Sequence, residues 1–271
     1  MQTLAGHLEL VCSLDSEKRS YISRQSFCAP YHISKPYQGE HALIVQVVNP
    51  TAGLFAGDRL ESCIHVERGA HLLLSTPSAS RAHTMQCGKA ELMQTFHVAE
   101  GAWLEYSPAP LIPQRASELR QTTRVKLDAG GEMFFLEVLA PGRVARGECF
   151  EFAKVDWDFS LIHGGRLIAA ERFTLRPGDE SLTSLRSPFS AGYYASGYLV
   201  TSRITLEDEC WDKIRALNSK DVLAGASRLS QGGWGIRILA RESVAMQKTV
   251  AHLRRILSVR VPELGTQVRK V

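Results

Sequence analysis

Along residues 60–67 the side chains change character at every step. Leu60, Ser62, Ile64 and Val66 alternate with Glu61, Cys63, His65 and Glu67. A two-residue period of this kind predicts a half-buried β-strand. The same parity returns at Leu92, Gln94, Phe96 and Val98, which share one face. Each strand runs into a glycine turn and a second apolar run. His65-Val66-Glu67-Arg68-Gly69-Ala70-His71-Leu72-Leu73-Leu74 is matched by His97-Val98-Ala99-Glu100-Gly101-Ala102-Trp103-Leu104-Glu105-Tyr106. A looser copy spans Val125 to Phe135 around Ala129-Gly130-Gly131, and a fainter one spans Asp158 to Ile168 around Gly164-Gly165. Strand, tight turn and strand, repeated about every 32 residues, predict stacked β layers that bury their apolar faces only against neighbouring coils.

Around this centre the pattern is less regular. Residues up to about 48 read as irregular strands, with Ala42 to Val48 the most apolar run and Pro30, Pro36 and Gly39 as punctuation. Residues 78–88 break the β pattern and predict a loop between coils. Pro177 to Gly197 is rich in small residues and reads as loosely packed, whereas Tyr193 to Ile204 alternates like a strand. Beyond residue 204 the character changes. Thr205 and Asp208 resemble a capping box before a short helix carrying Trp211 and Ile214. Two strands, Val222 to Leu229 and Trp234 to Ala240, come next. A second helix starts near Ser243, with Met246, Val250, Leu253 and Leu257 on one stripe. The expected fold class is mainly β: β-helix-like layers over about 1–204 and a helix-strand-strand-helix cap over about 205–260. Nothing reads as a linker, so 1–271 is expected to form one domain. Such a body offers large flat sides, which favour docking over a deep catalytic cleft.

Composition narrows the function classes. The 271 residues are 44% hydrophobic and 22% charged with a net charge of +4, ordinary for a soluble globular chain. No basic run interleaves with aromatics, so a nucleic-acid groove is not expected. The excess of Arg and Lys after residue 240 reads as a solvated helix face. No stretch is long and apolar enough for a membrane span, and the start lacks the features of a secretory signal. The six cysteines are scattered with no C-x-x-C pair, which fits reduced thiols and a cytoplasmic location.

Candidate chemistry concentrates in two glycine-bounded segments. Asn49-Pro50-Thr51-Ala52-Gly53-Leu54-Phe55-Ala56-Gly57-Asp58-Arg59 lacks the Gly-Lys-Ser/Thr of a phosphate loop and the third glycine of a dinucleotide fingerprint. Its default reading is a bend in which Asp58 binds backbone amides. Gly142-Arg143-Val144-Ala145-Arg146-Gly147-Glu148 places an Arg and a Glu where burial of either would demand the other. Asp58 with Glu148 could alternatively form the acid pair of a carbohydrate-active β-solenoid enzyme. A generic β-rich interaction module is the remaining alternative. Metal candidates are weak: His83 and Cys87 stand four apart and His65 and His71 flank a turn, without zinc-type spacing. No Gly-x-Ser-x-Gly elbow occurs, and the residues by themselves define no enzyme.

Four segments in order carry a resemblance. The run from Asn49 to Asp58 is similar to the "P-x-G-G-hydrophobic-x-x-G-D" of the UreD (UreH) family of urease accessory proteins. Ser75-Thr76-Pro77-Ser78-Ala79-Ser80-Arg81 resembles that family's "T-T-P-G-A-T-K". Glu105-Tyr106-Ser107-Pro108-Ala109-Pro110 resembles "E-Y-L-P-Q-P", and Gly142 to Glu148 resembles "G-R-x-A-x-G-E". Ala52, Ser78, Arg81, Ser107 and Ala109 depart from those patterns. The resemblance runs from about Tyr21 to Leu257 and implies a non-enzymatic maturation factor. It implies binding to the urease apoprotein and a UreF-type protein, and through the latter to a UreG-type GTPase. The implied role is scaffold and conduit for nickel insertion, with nickel held only transiently and no tightly bound cofactor. Gly53, Gly57, Asp58, Arg59, Thr76, Pro77, Arg143, Gly147 and Glu148 are then expected to line a nickel path or to order a docking surface.

Overall fold

Strands β1 (Ala5–Leu14), β2 (Ser20–Phe27), β3 (His32–Ile33), β4 (Tyr37–Gln38) and β5 (Leu43–Val48) open the chain. These belong to a computed structural model that describes residues 4–51, 53–178, 192–230 and 232–266. The coils follow. The first is β6 (Arg59–Val66), β7 (His71–Ser75) and β8 (Ser80–Ala82); the second is β9 (Ala90–Val98), β10 (Trp103–Tyr106) and β11 (Leu111–Pro113). The third is β12 (Glu118–Leu127) and β13 (Glu132–Leu139), and β14 (Lys154–His163) starts a fourth. Strands β6, β9, β12 and β14 stack in parallel in one sheet, and β5, β7, β10 and β13 in a second. The short strands β8 and β11 pair in parallel on a third side. The repeats read in the sequence are therefore rungs lying on one another, with His65 opposite His97 and His71 opposite Trp103.

The turns explain why the chain coils. Ala70 N–H donates to Glu67 O, Ala102 N–H to Ala99 O and Gly131 N–H to Asp128 O, closing three equivalent turns. Gly69, Gly101 and Gly130 occupy their positive-φ positions, at 72°, 68° and 81°. Each such turn carries the chain from the first sheet to the second. The fourth copy behaves differently. Gly164 and Gly165 both have positive φ, at 55° and 79°. Two consecutive residues of that kind make a tight hairpin, so β15 (Arg166–Leu175) folds back antiparallel on β14 within the same sheet.

This hairpin ends one sheet, and β16 (Tyr193–Val200), antiparallel to β13, takes the other beyond its parallel stack. At the opposite end β2 and β3 lie antiparallel on β1 and β5. Growth of the stack is thus stopped by antiparallel strands. The C-terminal elements are α1 (Cys210–Arg215), β17 (Val222–Arg228), β18 (Trp234–Ala240) and α2 (Ser243–Ser258). They form the small helix-containing C-terminal segment expected: β18 and β17 extend the second sheet beside β16 at its end, and the helices cover its outer face. Outward Trp103, Phe134 and Leu136 pack there with Trp211, Met246, Leu253 and Leu257.

Four local expectations need correction. Residues 78–88 include the short strand β8 as well as loop. Asp208 accepts the Thr205 N–H at 2.7 Å, but the residue before the helix is Glu209 and makes no side-chain cap, so the motif is a turn ahead of α1. Arg254 does not belong to a solvated face. It reaches inward to Glu105, as described below. Of Pro177 to Gly197, residues 179–191 lie outside the described residues, and the strand that follows ends at Val200, short of Ile204.

Between the sheets the core is mostly apolar. Phe96, Phe135, Phe159 and Tyr198 form a column across the rungs, with centroid spacings of 5.4, 5.3 and 4.4 Å. Contacts of this kind add about 0.5–1.5 kcal/mol each beyond the area they bury. No helix among the described residues is long and apolar enough to cross a membrane.

Candidate functional site

The segments singled out in the sequence meet on the third side of the coil. Leu54 N–H donates to Arg81 O, and His83 N–H to Leu54 O. Gln114 N–H then donates to Ala82 O, and Ser80 N–H to Pro110 O. The loop after β5, the loop after β7 and the loop after β10 are therefore successive layers of one face. Thr76 ties two of them together, its hydroxyl oxygen accepting the Ala109 N–H at 2.9 Å. Gly53 sits where two layers touch. Its φ is 140°, and a Cβ there would lie 2.3 Å from Arg81 O.

Asp58 is 2% exposed. Its carboxylate accepts the Leu4 N–H at 3.0 Å and the Phe55 N–H at 2.8 Å, pinning the loop that ends at β6. Arg59 begins that strand and pairs with Glu91. In the last layer, Arg143 donates Nε–H to Glu148 Oε2 at 2.8 Å and Nη2–H to Oε1. The guanidinium holds the Glu148 carboxyl below its ordinary range. A glycosidic general acid needs the opposite shift. Gly147, with φ 78°, closes the 3-10 turn Val144–Arg146. His83 stacks on Phe55 with centroids 4.6 Å apart, and Cys87 is exposed. Among the described residues no group of three or more His, Cys, Asp or Glu is placed to hold a metal ion.

Under this face lies a cavity of about 180 Å³ that runs into the space between the sheets. Asn49, Thr51, Gly53, Thr76, Ser78 and Arg81 border it on the motif side. Gly57, Asp58, Arg59, Pro77, Arg143, Gly147 and Glu148 do not; they belong to the loops around it. Ala52 lies outside the described residues.

The inner part of the cavity is polar, against the rule of the surrounding core. Glu137, on the inward face of β13 and 6% exposed, accepts Gln94 Nε2–H at 3.0 Å and Gln121 Nε2–H at 2.9 Å, both on Oε1. Tyr106 O–H donates to Gln94 Oε1 at 2.7 Å, and Gln94 Nε2–H also meets Thr123 Oγ1 at 3.1 Å. Burial pushes the Glu137 carboxyl up to about 7, against the two amide donors and with the help of the nearby Glu171 charge. Glu171 itself is well matched. Tyr194, Ser196 and Tyr198 donate to it, and Arg237 Nη2 stands 3.2 Å away.

None of these interior groups was assigned a role from the sequence. The available signal was Gln94, placed by parity on a core face where an amide is out of character. The partners of Gln94 come round only through the coil. Glu105 is a second such residue. It lies in the third motif on the outer face of β10, is 1% exposed, and is clasped by Arg254 of α2 at 2.7 and 3.1 Å.

Comparison with known proteins settles the family. The model described as "UreD urease accessory protein" matches residues 4–270. The chain belongs to the UreD family of urease accessory proteins. A "Urease accessory protein UreD" from Opitutus terrae is 39% identical, over 98% of this chain and 99% of its own length. One from Deinococcus radiodurans is 33% identical over 96% of this chain and 91% of its own. A "Urease accessory protein UreH" from Helicobacter hepaticus is 25% identical over 62% of this chain. The sequence resemblance is thereby borne out over nearly the whole chain, as is the layered, mainly β fold.

Proposed function

We propose that this protein is a non-enzymatic scaffold and conduit for nickel during maturation of the urease active site, acting in the cytoplasm. Its partners would be the urease apoprotein, a UreF-type accessory protein and, through it, a UreG-type GTPase. One observation carries the conduit reading: the strip of Gln94, Gln121, Tyr106 and Glu137 inside a mostly apolar stack, reached from a mouth of hydroxyl-bearing loops. Buried polar groups cost stability relative to an apolar filling. Their presence here is accounted for if an ion must traverse the interior.

The donor set suits cargo. Carboxylate, amide, hydroxyl and phenol oxygens bind Ni(II) weakly compared with a Cys/His cage, and passage requires sites that release what they bind. In this reading Asp58, Arg143 and Glu148 hold the loops around the mouth, while Gly53 and Thr76 form part of its rim. Removal of the gene from a urease-positive cell should leave urease subunits assembled but poor in nickel. Tagged protein recovered from the wild-type cell should carry urease and a UreF-like partner with it. Normal urease activity in the deletion strain would end this reading.

A further inference from the structure

We propose that His65 and His97 form a surface site for one divalent first-row transition cation, on the outer face of the first sheet and separate from the cavity. The site does not depend on what the cavity carries.

The pair is a product of the coil. His65 on β6 and His97 on β9 stand opposite each other on adjacent rungs, 32 residues apart in sequence. His65 Nε2 and His97 Nδ1 approach to 3.0 Å, with ring centroids 4.4 Å apart and 65° between the planes. Both side chains leave the sheet on its outer face, since Ile64, Val66, Phe96 and Val98 fill the core side. The helices pack on the second sheet, and beside the pair Cys63 and Thr95 are exposed. His71, across the turn from His65, is engaged elsewhere: its Nδ1 meets His41 O at 3.1 Å.

The nitrogen separation is the one a cation asks for. Two nitrogens bound to one such ion at about 2.1 Å, at right angles to each other, are about 3.0 Å apart. A turn of the rings then brings both lone pairs onto one point. Behind His97, Asp128 Oδ2 stands 3.1 Å from Nε2. It lies off the hydrogen-bond direction, so this buried nitrogen has no well-aligned partner until the ring turns. A carboxylate placed behind a ligating imidazole fixes its tautomer and orientation. The charged groups around the pair are Glu67, Asp128, Arg24 and Lys126. Both cations already have partners, Arg24 in Glu9 and Lys126 in Asp128, so no unpaired positive charge among them opposes an arriving ion.

Asp128 is on the far side of the ring and is not a third ligand. Two imidazoles therefore make an open site whose other positions are filled by water, and such a site exchanges its ion readily. Imidazole selects zinc, copper and nickel over magnesium and calcium. His97 keeps its proton on Nε2 beside Asp128, and the His65 proton passes through water from Nε2 to Nδ1. The ion binds without net proton release.

The test is a titration of the full-length protein with Zn(II), followed through the imidazole nitrogens of 15N-labelled histidine. Zn(II) should shift His65 Nε2 and His97 Nδ1 together and saturably, and Mg(II) should shift neither. His65→Gln and His97→Gln should each weaken this binding at least about tenfold. Asp128→Asn should weaken it by about tenfold through the loss of the group that positions His97. His71→Gln should leave it unchanged. Zn(II) that shifts neither nitrogen overturns the proposal, as does binding that survives both histidine variants. Glu137→Gln should not alter the two shifts; their loss in that variant would move the ion to the cavity and end the surface site. The nickel content of urease is not read in this experiment, so the surface site and the conduit can fail separately.

Discussion

Arg254→Ala should lower the stability of the protein by about 3–5 kcal/mol, because it strands the buried Glu105 carboxyl without its partner. The guanidinium ties the second sheet to the C-terminal segment that packs on it, donating to both Glu105 oxygens on β10 and to Thr266 O beyond α2. Burial pushes the Glu105 carboxyl up to about 7 even with Arg254 in place. The sign of the pH dependence follows. A folded-state pKa above the unfolded one makes the fold relatively more stable in acid, with that advantage lost as pH rises toward 7. Without Arg254 the loss should be larger at pH 8 than at pH 6, where the stranded acid can take up a proton. Denaturant unfolding of Arg254→Ala at both pH values measures this. Glu105→Leu combined with Arg254→Met should recover most of the loss, since an apolar pair leaves no orphan charge. A loss under about 1 kcal/mol that does not vary with pH would show that the clasp is not holding the helix to the sheet.

Gly53→Ala is expected to be nearly as damaging, by about 2–5 kcal/mol, from a strained backbone added to a steric overlap. The new Cβ would fall 2.3 Å from Arg81 O, and backbone cannot swing away as a side-chain end could. The Leu54–Arg81 hydrogen bond at 2.7 Å fixes that approach. Because Gly53 borders the cavity mouth, the same change should displace Thr51 and Arg81 at its rim. Gly225→Ala is the control, since a Cβ at that position meets nothing within 4 Å. Thermal unfolding of the two variants should differ by several degrees in midpoint; equal midpoints would mean the layers at Gly53 can separate without cost.

Much of the architecture was legible because it follows from short-range rules. Parity put Leu60, Ile64 and Val66 on the core side of β6, and single glycines marked the turns that send each coil to the other sheet. The fourth repeat shows where such rules stop. Gly130-Gly131 and Gly164-Gly165 look alike, yet in the first pair only Gly130 takes positive φ and the chain coils, whereas both take it in the second and the chain doubles back. What the following strand pairs with decides between them.

The site was less legible for a related reason. The sequence motifs mark the loops around the cavity mouth, where glycines and ion pairs leave local signatures. The interior strip has none, because Gln94 and Glu137 are 43 residues apart and become neighbours only across rungs. Arg254 escaped for a simpler reason. It stands one position beyond Leu253 in the apolar stripe of α2, close enough to its border to turn inward once Glu105 is there to receive it.

The central claim, that the polar interior exists for cargo, separates function from stability and can be tested on that separation. A variant carrying Gln94→Leu, Tyr106→Phe, Gln121→Leu and Glu137→Leu removes the strip while keeping its approximate volume. Exchange of buried polar partners for apolar groups of similar shape is nearly neutral or stabilising. The decisive measurement is the nickel content per active site of urease purified from cells whose sole copy of this protein is that variant. The account predicts a protein that folds normally and still binds its partners, together with urease nearly devoid of nickel. Fully nickel-loaded urease from the same cells would contradict it.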